Sequence, residues 1–262
     1  MDKYQFLKEE ERLDYTLQTL NEEILNYIEK RKEIANYILD YRKNFIEEHK
    51  DDEDALMEYF DHERYVKEES YKQIDKKLME LTKLKETPYF GKVIFSDEDE
   101  CQEEIYVGRY GLTKDATFEN VIIDWRAPIA SLFYKGSLGP ATYKTPDGEL
   151  PADILARRQF VIKKGSLQGY FDSEVDVKDE ILQMILSSNS GEKLKDIVMT
   201  IQQEQDDIIR EERMKVVVVN GVAGSGKTTI ALHRVAYLLY NYRQQLGNKV
   251  LVLGPNDIFV DY

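Results

Sequence analysis

Gly221, Val222, Ala223, Gly224, Ser225, Gly226, Lys227 and Thr228 satisfy every fixed position of the pattern GxxxxGKT. That pattern constrains the fold, because it is functional only between a strand and a helix. Residues 214–220 read as a buried parallel strand, since Val216, Val217, Val218 and Val219 are β-branched in succession. Residues 229–242 read as a helix, with Ile230, Val235, Leu238 and Leu239 among its apolar positions. Residues 249–254 supply a further apolar run that reads as a buried strand, and Pro255 opens the next turn. Two strands joined through a helix begin a doubly wound α/β domain, expected here over residues 214–262.

The residue types match a polyphosphate ligand. Glycines let backbone N–H groups curl around an anion without Cβ clashes. The next helix aims its free N–H groups and partial positive charge at the same point. Lys227 is placed to reach β- and γ-phosphates, and the Thr228 hydroxyl to ligate Mg²⁺. The alternative is a Gly-rich turn with no ligand.

Composition narrows the partners. Over 262 residues the formal net charge is −14, which argues against broad nucleic-acid binding through clustered Lys and Arg. An acidic surface suits solubility or a basic protein partner. Cys101 is the only cysteine, so no intrachain disulfide or thiolate cluster forms. His49, His62 and His233 are too scattered to suggest a metal site. The charged start lacks the apolar stretch of a signal peptide, and no run approaches the roughly 18 apolar residues that span a membrane. A reducing cytoplasm is the simplest location.

Residues 1–87 are almost free of Gly and Pro. Phe6, Leu13, Leu17, Leu20, Ile24, Tyr27, Ile34, Ile38, Tyr41 and Phe45 form a heptad seam, interrupted by Glu10 and Arg31. A second helix, over residues 54–86, carries Leu56, Phe60, Tyr71, Ile74, Leu78 and Leu81. The pair reads as an antiparallel coiled-coil arm about 50 Å long, with packing into a larger helical bundle as the alternative. Asp51, Asp52, Glu53 and Asp54 occupy the expected tip. They read either as a solvated turn or as a contact for a basic surface or a bound Mg²⁺.

Residues 88–178 read as a small β-rich domain with strands at 89–95, 104–110, 120–125, 131–135, 157–164 and 166–171. Pro146, Asp147 and Gly148 signal a turn. Trp125, the only tryptophan, reads as a core anchor, and Asp124 and Arg126 as a candidate structural pair. Residues 179–213 return to helix, with Asp179 as a cap and Gly191 as a break before residues 192–213. The class is therefore α+β overall: an arm, a β-rich domain, a helical connector and the start of a phosphate-loop domain. No later strand carries an acid for Mg²⁺ or a group to position water. The chain is accordingly expected to be the front of a longer protein, with negligible ATP turnover by itself.

A family resemblance rests on these residues. Gln205 lies sixteen residues before Gly221. With GVAGSGKT and then Leu232, His233, Arg234, Val235, Ala236, Tyr237 and Leu238, it resembles the opening of superfamily 1 helicases of the UvrD/Rep type. Residues 251–256 fall where the next family motif, often a single-strand DNA contact, begins. The resemblance implies a RecA-like domain that binds ATP and Mg²⁺, with Gln205 recognising adenine. Thr229 departs from the pattern, because many relatives carry arginine there. A narrower resemblance joins the coiled coil, residues 123–134 (Ile-Asp-Trp-Arg-Ala-Pro-Ile-Ala-Ser-Leu-Phe-Tyr) and residues 200–205 (Thr-Ile-Gln-Gln-Glu-Gln). Together they resemble the HelD family of helicase-like ATPases. That resemblance implies an arm entering the secondary channel of core RNA polymerase, a tip near the active centre, and ATP-driven release of nucleic acid. It also implies DNA contact through the complete motor. A helicase IV-type DNA-unwinding enzyme and a non-enzymatic interaction module are the alternatives.

Overall fold

The computed structural model describes residues 3–48, 62–97, 101–135, 137–145, 148–172, 203–212, 214, 216–222, 224–247 and 249–254. The fold is mixed α+β and divides into two compact units. The first comprises Met1–Lys92, Glu104–Asp124 and Arg158–Val175; the second comprises Val93–Glu103, Trp125–Arg157 and Asp176–Tyr262.

The first unit is built on α1 (Lys3–Glu48) and α2 (His62–Leu84). They run antiparallel, because Arg31 pairs with Asp75 at 2.8 Å while Arg42 pairs with Glu68 at 3.0 Å, so rising numbers on α1 meet falling numbers on α2. The two helices expected to form the hairpin are therefore antiparallel, and residues 51–54, expected at its tip, lie outside the described residues. Along the distal seam Tyr37, Tyr41 and Phe45 stack at centroid spacings of 6.4 and 6.3 Å. The proximal seam differs from a free-standing coiled coil. Leu13, Leu20 and Ile24 of α1 and Leu78, Leu81 and Leu84 of α2 are buried with Tyr89, Tyr106, Ile122, Phe160 and Ile162 of the sheet region. Half of the heptad pattern thus serves a globular core rather than the arm.

That sheet contains β1 (Gly91–Ser96), β2 (Gln102–Gly108), β3 (Leu112–Lys114), β4 (Glu119–Asp124), the second half of a long strand, β6 (Gly148–Lys163), and β7 (Ser166–Asp172). Their order is β3-β4-β2-β1-β6, with β7 on β6. β2 and β4 are parallel, with Val107 opposite Ile123, and β6 and β7 are antiparallel from Arg158–Asp172 to Lys163–Ser166. Lys164 and Gly165, between them, have φ of 50° and 71°, as a two-residue type I′ turn requires. A Cβ at Gly108 would lie 2.4 Å from the Pro88 carbonyl oxygen, so only glycine lets these segments approach.

A polar cluster ties α1 to this sheet. Glu9 is 1% exposed. It accepts from Arg158 at 2.8 Å, from Lys92 at 3.3 Å and from the Tyr106 hydroxyl at 3.0 Å. Burial, reinforced by the Glu9 charge, pushes the Tyr106 phenol well above its ordinary pKa, so it donates rather than ionises. Lys92 also reaches Glu104 at 2.8 Å, and Arg158 forms a bidentate pair with Asp172. Burial opposes the Glu104 charge, but the Lys92 hydrogen bond and charge prevail and hold its carboxyl below the ordinary range.

In the second unit β5 (Gly139–Thr145) forms a hairpin with the first half of β6. Thr145 pairs with Gly148 across the expected turn, whose Pro146 and Asp147 lie outside the described residues. β3 and β5 were not expected from the sequence. The strand expected at 131–135 is instead a 3₁₀ turn, Pro128–Ala130, followed by α3 (Ser131–Tyr134), whose four residues are all buried. Pro128 supplies a preset φ at the start of the turn, and a short apolar run does not by itself distinguish strand from helix. Among the described residues three further helices follow: α4 (Gln203–Arg210), α5 (Lys227–Asn241) and α6 (Arg243–Leu246). The cap at Asp179 and the break at Gly191 lie outside the described residues.

The two expected strands around the Gly-rich loop are not formed. The described residues within 214–220 and 249–254 are irregular. Val216 and Val218 are 78% and 86% exposed, and Leu251 and Leu253 are 80% and 86% exposed. β-propensity expresses packing on a sheet, and no strand among the described residues pairs with either run. Among the described residues of 214–262 the loop and the helix Lys227–Asn241 are formed, and no strand is.

Removing Glu9 strands buried Lys92 and half-buried Arg158, each left with one carboxylate at the margin. Glu9→Ala is expected to cost about 2–4 kcal/mol in urea unfolding. Arg42→Ala, at an exposed pair on the arm, is expected to cost less than about 0.5 kcal/mol. Equal effects would contradict the assignment of Glu9 as the buried anchor.

Candidate functional site

The Gly-rich loop is shaped by backbone rules. Gly224 and Gly226 both have φ of +82°. An L-residue with a side chain pays about 1–2 kcal/mol in that region, so both positions favour glycine. Gly226 is the residue immediately before α5, which starts at Lys227, and Ile230 N–H donates to the Gly226 carbonyl at 2.9 Å. The Ser225 N–H closes the preceding turn on the Val222 carbonyl at 3.3 Å. Gly221 N–H donates to Asn220 Oδ1 at 2.9 Å, and a Cβ on Gly221 would lie 2.6 Å from Ser225 Oγ.

Lys227 folds back across the loop. Its Nζ donates to the carbonyls of Gly221 at 2.8 Å and Val222 at 2.6 Å. One ammonium, the first turn of a fifteen-residue helix and a left-handed glycine pair therefore converge at one exposed place. That donor set suits an anion with several oxygens. Thr228 and Thr229 follow on the first turn of α5, Thr228 exposed and Thr229 half-buried. Gly221, Val222, Gly224, Ser225, Gly226, Lys227, Thr228 and Thr229 thus form one continuous feature, and Ala223 lies outside the described residues. Among the described residues no group of three or more His, Cys, Asp or Glu could hold a metal ion. Ser225, Thr228 and Thr229 supply the side-chain hydroxyls at this loop and first turn. No described helix is long and apolar enough to cross a membrane.

Gln205 lies on α4 and not on the loop. Side-chain hydrogen bonds join α4 and its following residues to α5. Arg234 Nη1 donates to the carbonyls of Ile208 at 2.7 Å and Ile209 at 3.4 Å, meeting the C-terminal end of α4. The Tyr237 hydroxyl donates to Glu212 at 2.8 Å.

The sequence reading missed Arg210, the best-connected side chain near this helix pair. It is buried, and it donates from Nε to Asp206 at 2.7 Å, from Nη1 to the Ala127 carbonyl at 3.1 Å and from Nη2 to the Trp125 carbonyl at 2.6 Å. Its guanidinium also lies 5.7 Å from the Tyr134 ring centroid and 5.2 Å from that of Tyr237. Burial raises the Asp206 carboxyl above its ordinary pKa, and the charge and hydrogen bond of Arg210 oppose that shift. The only available signal was the Asp206–Arg210 spacing of four along a helix.

Trp125 is buried, as expected of a core anchor, and its surroundings are α4 and α5. Its ring meets His233 edge-on at 5.3 Å. The neighbouring Arg126 places its guanidinium 4.6 Å over Tyr240, and Asn241 Nδ2 donates to the Arg126 carbonyl at 3.3 Å. The turn from Trp125 to Pro128 therefore seats both helices.

Arg234→Met removes the donor to the last carbonyls of α4. It is expected to lower amide-exchange protection across Gln203–Arg210 by about 1–2 kcal/mol, while leaving the α1–α2 pair unchanged. Unaltered protection in α4 would contradict this contact.

No curated protein sequence matches the chain. The family described as DNA helicase IV HelD, N-terminal domain, matches residues 6–184, more than half of the chain. That span covers the helical pair, the sheet and the Trp125 turn. The chain belongs to the family of the N-terminal domain of HelD, a DNA helicase IV.

Proposed function

We propose that this chain is the N-terminal part of a superfamily 1 helicase-like ATPase of the HelD type, which binds RNA polymerase and promotes release of nucleic acid. The observation that carries the nucleotide reading is the left-handed pair Gly224 and Gly226 leading Lys227 into the first turn of α5. In this reading the loop amides from Gly221 to Gly226 cradle the phosphates. Lys227 exchanges its two loop carbonyls for terminal phosphate oxygens. Thr228 holds Mg²⁺, Gln205 reads the adenine edge, and Thr229 lies beside the base. ATP with Mg²⁺ supplies the free energy for domain motion; these residues bind and orient it. The remainder of a RecA-like domain supplies the sheet on which residues 214–220 and 249–254 pair.

The polymerase reading rests on the arm. The helices of residues 1–87 precede the motor instead of interrupting it, and α1 is rooted at Glu9 and pairs further along with α2 through Arg31–Asp75 and Arg42–Glu68. The proposed organisation is an arm at 1–87, a β-rich domain at 88–178, a connector at 179–213 and the start of the motor at 214–262, in a cytoplasmic protein. The tip acids Asp51, Asp52, Glu53 and Asp54 would meet a basic surface or a metal of the partner. The family's own description favours a second reading, a DNA-unwinding helicase with a structural arm. The net charge of −14 weighs against phosphate-tracking by this part of the chain.

In the complete motor, Lys227→Ala is expected to lower ATP turnover about 100-fold or more while leaving polymerase affinity intact. Unchanged turnover would contradict the phosphate-loop assignment. Replacing the four tip acids by alanine is expected to change the effect on transcription more than the affinity. A loss of affinity with the effect per bound molecule retained would make the tip a docking site alone.

A further inference from the structure

Arg210 is buried, and its guanidinium donates to Asp206 and to the Ala127 and Trp125 carbonyls. We propose that Arg210 is a positioning residue for base recognition, holding α4, and with it Gln205, at a fixed offset from the phosphate loop. The proposal rests on the reading of Gln205 as the adenine contact.

The geometry has two halves. On one side the guanidinium fork of Arg210 donates to the Trp125 and Ala127 carbonyls at 2.6 and 3.1 Å, with Nε on Asp206 at 2.7 Å within the same helix. On the other side Arg234, seven residues into the helix that starts at Lys227, donates to the Ile208 and Ile209 carbonyls. The first contact stops α4 from rotating on the Trp125 turn. The second stops it from sliding along α5. Because α5 begins at Lys227, the Arg234 contact refers α4 to the phosphate loop directly, and the Arg210 contact does so through the Trp125 turn, on which His233 of α5 packs.

Gln205 and Arg210 are five residues apart on α4, which at 100° per residue puts them about 140° apart around the axis and about 7.5 Å apart along it. Arg210 therefore acts on Gln205 through the helix and does not itself face a base held by Gln205. Its planar fork spans two carbonyls that one ammonium cannot satisfy in the same geometry, so lysine is not a conservative replacement. A helix free to rotate would still leave the triphosphate contacts of the loop in place. The loss falls on discrimination between bases.

The test is the affinity of ATP and of GTP for the complete motor, by displacement of a fluorescent nucleotide, in the wild type, Arg210→Lys, Arg234→Met and Lys227→Ala. Arg210→Lys is expected to reduce the ATP-over-GTP preference about fivefold or more while GTP affinity changes less than about twofold. Arg234→Met releases the same helix from its other side and is expected to shift the ratio in the same direction, which keeps the proposal testable if an Arg210 variant does not fold. Lys72→Met, at an exposed pair on α2, is the control and is expected to change neither affinity. Parallel loss of ATP and GTP affinity in both arginine variants, or an unchanged ratio, would overturn the positioning role. Lys227→Ala is expected to weaken both nucleotides alike. If it weakens neither, or if the wild type binds no nucleotide, the phosphate-loop reading fails and this inference fails with it.

Discussion

A single buried carboxylate determines where a 46-residue helix meets its sheet. An apolar heptad seam tolerates displacement by a whole repeat, because the same side-chain types recur. Glu9 does not, because a carboxylate withdrawn from water must find its cations. With Arg158, Lys92 and Tyr106 around it, only one register of α1 satisfies all four groups. That register carries Leu13, Leu20 and Ile24 into the core, and further along α1 Lys30 reaches Asp115 while Arg31 and Arg42 pair with Asp75 and Glu68 of α2. The arm has a firm root and an exposed shaft for this reason. Its distal contacts are stacked rings and exposed ion pairs, which stabilise little.

The second unit is organised by backbone carbonyls rather than by a seam. The turn at Trp125–Pro128 exposes its carbonyls to arginine and asparagine side chains from α4 and α5: Arg210 takes those of Trp125 and Ala127, and Asn241 takes that of Arg126. Aromatic contacts close the gaps, with Trp125 on His233 and Tyr240 under Arg126. The family match extends through this turn, which also seats the helix that follows the Gly-rich loop.

Signals of short range were legible in the sequence. The heptad seam announced α1, a further apolar pattern announced α2, and the GxxxxGKT spacing announced a Gly-rich loop before a helix that was expected from residue 229 and starts at Lys227. Glu9, Thr16, Thr19 and Glu23 were not legible, because each is buried by groups distant in sequence, against the polar pattern of an exposed helix face. Ser131–Tyr134 read as a strand because four apolar or small residues fit either period, and Pro128 decided the matter. The valines at 216–219 show the converse limit. Their preference for a sheet is real but needs a partner strand, and no described strand offers one. Arg210 escaped notice because a lone arginine on a short helix carries no signal until its carbonyl partners are placed.

The central claim is that this arm-bearing chain belongs to a motor that works on RNA polymerase rather than on free DNA. Co-elution of the chain with core RNA polymerase from a sizing column at moderate salt, with forked DNA as the competing ligand, tests it most directly. The account predicts co-elution with the polymerase and no retention by the DNA. Retention by forked DNA without co-elution with the polymerase would contradict it and favour a DNA-unwinding enzyme.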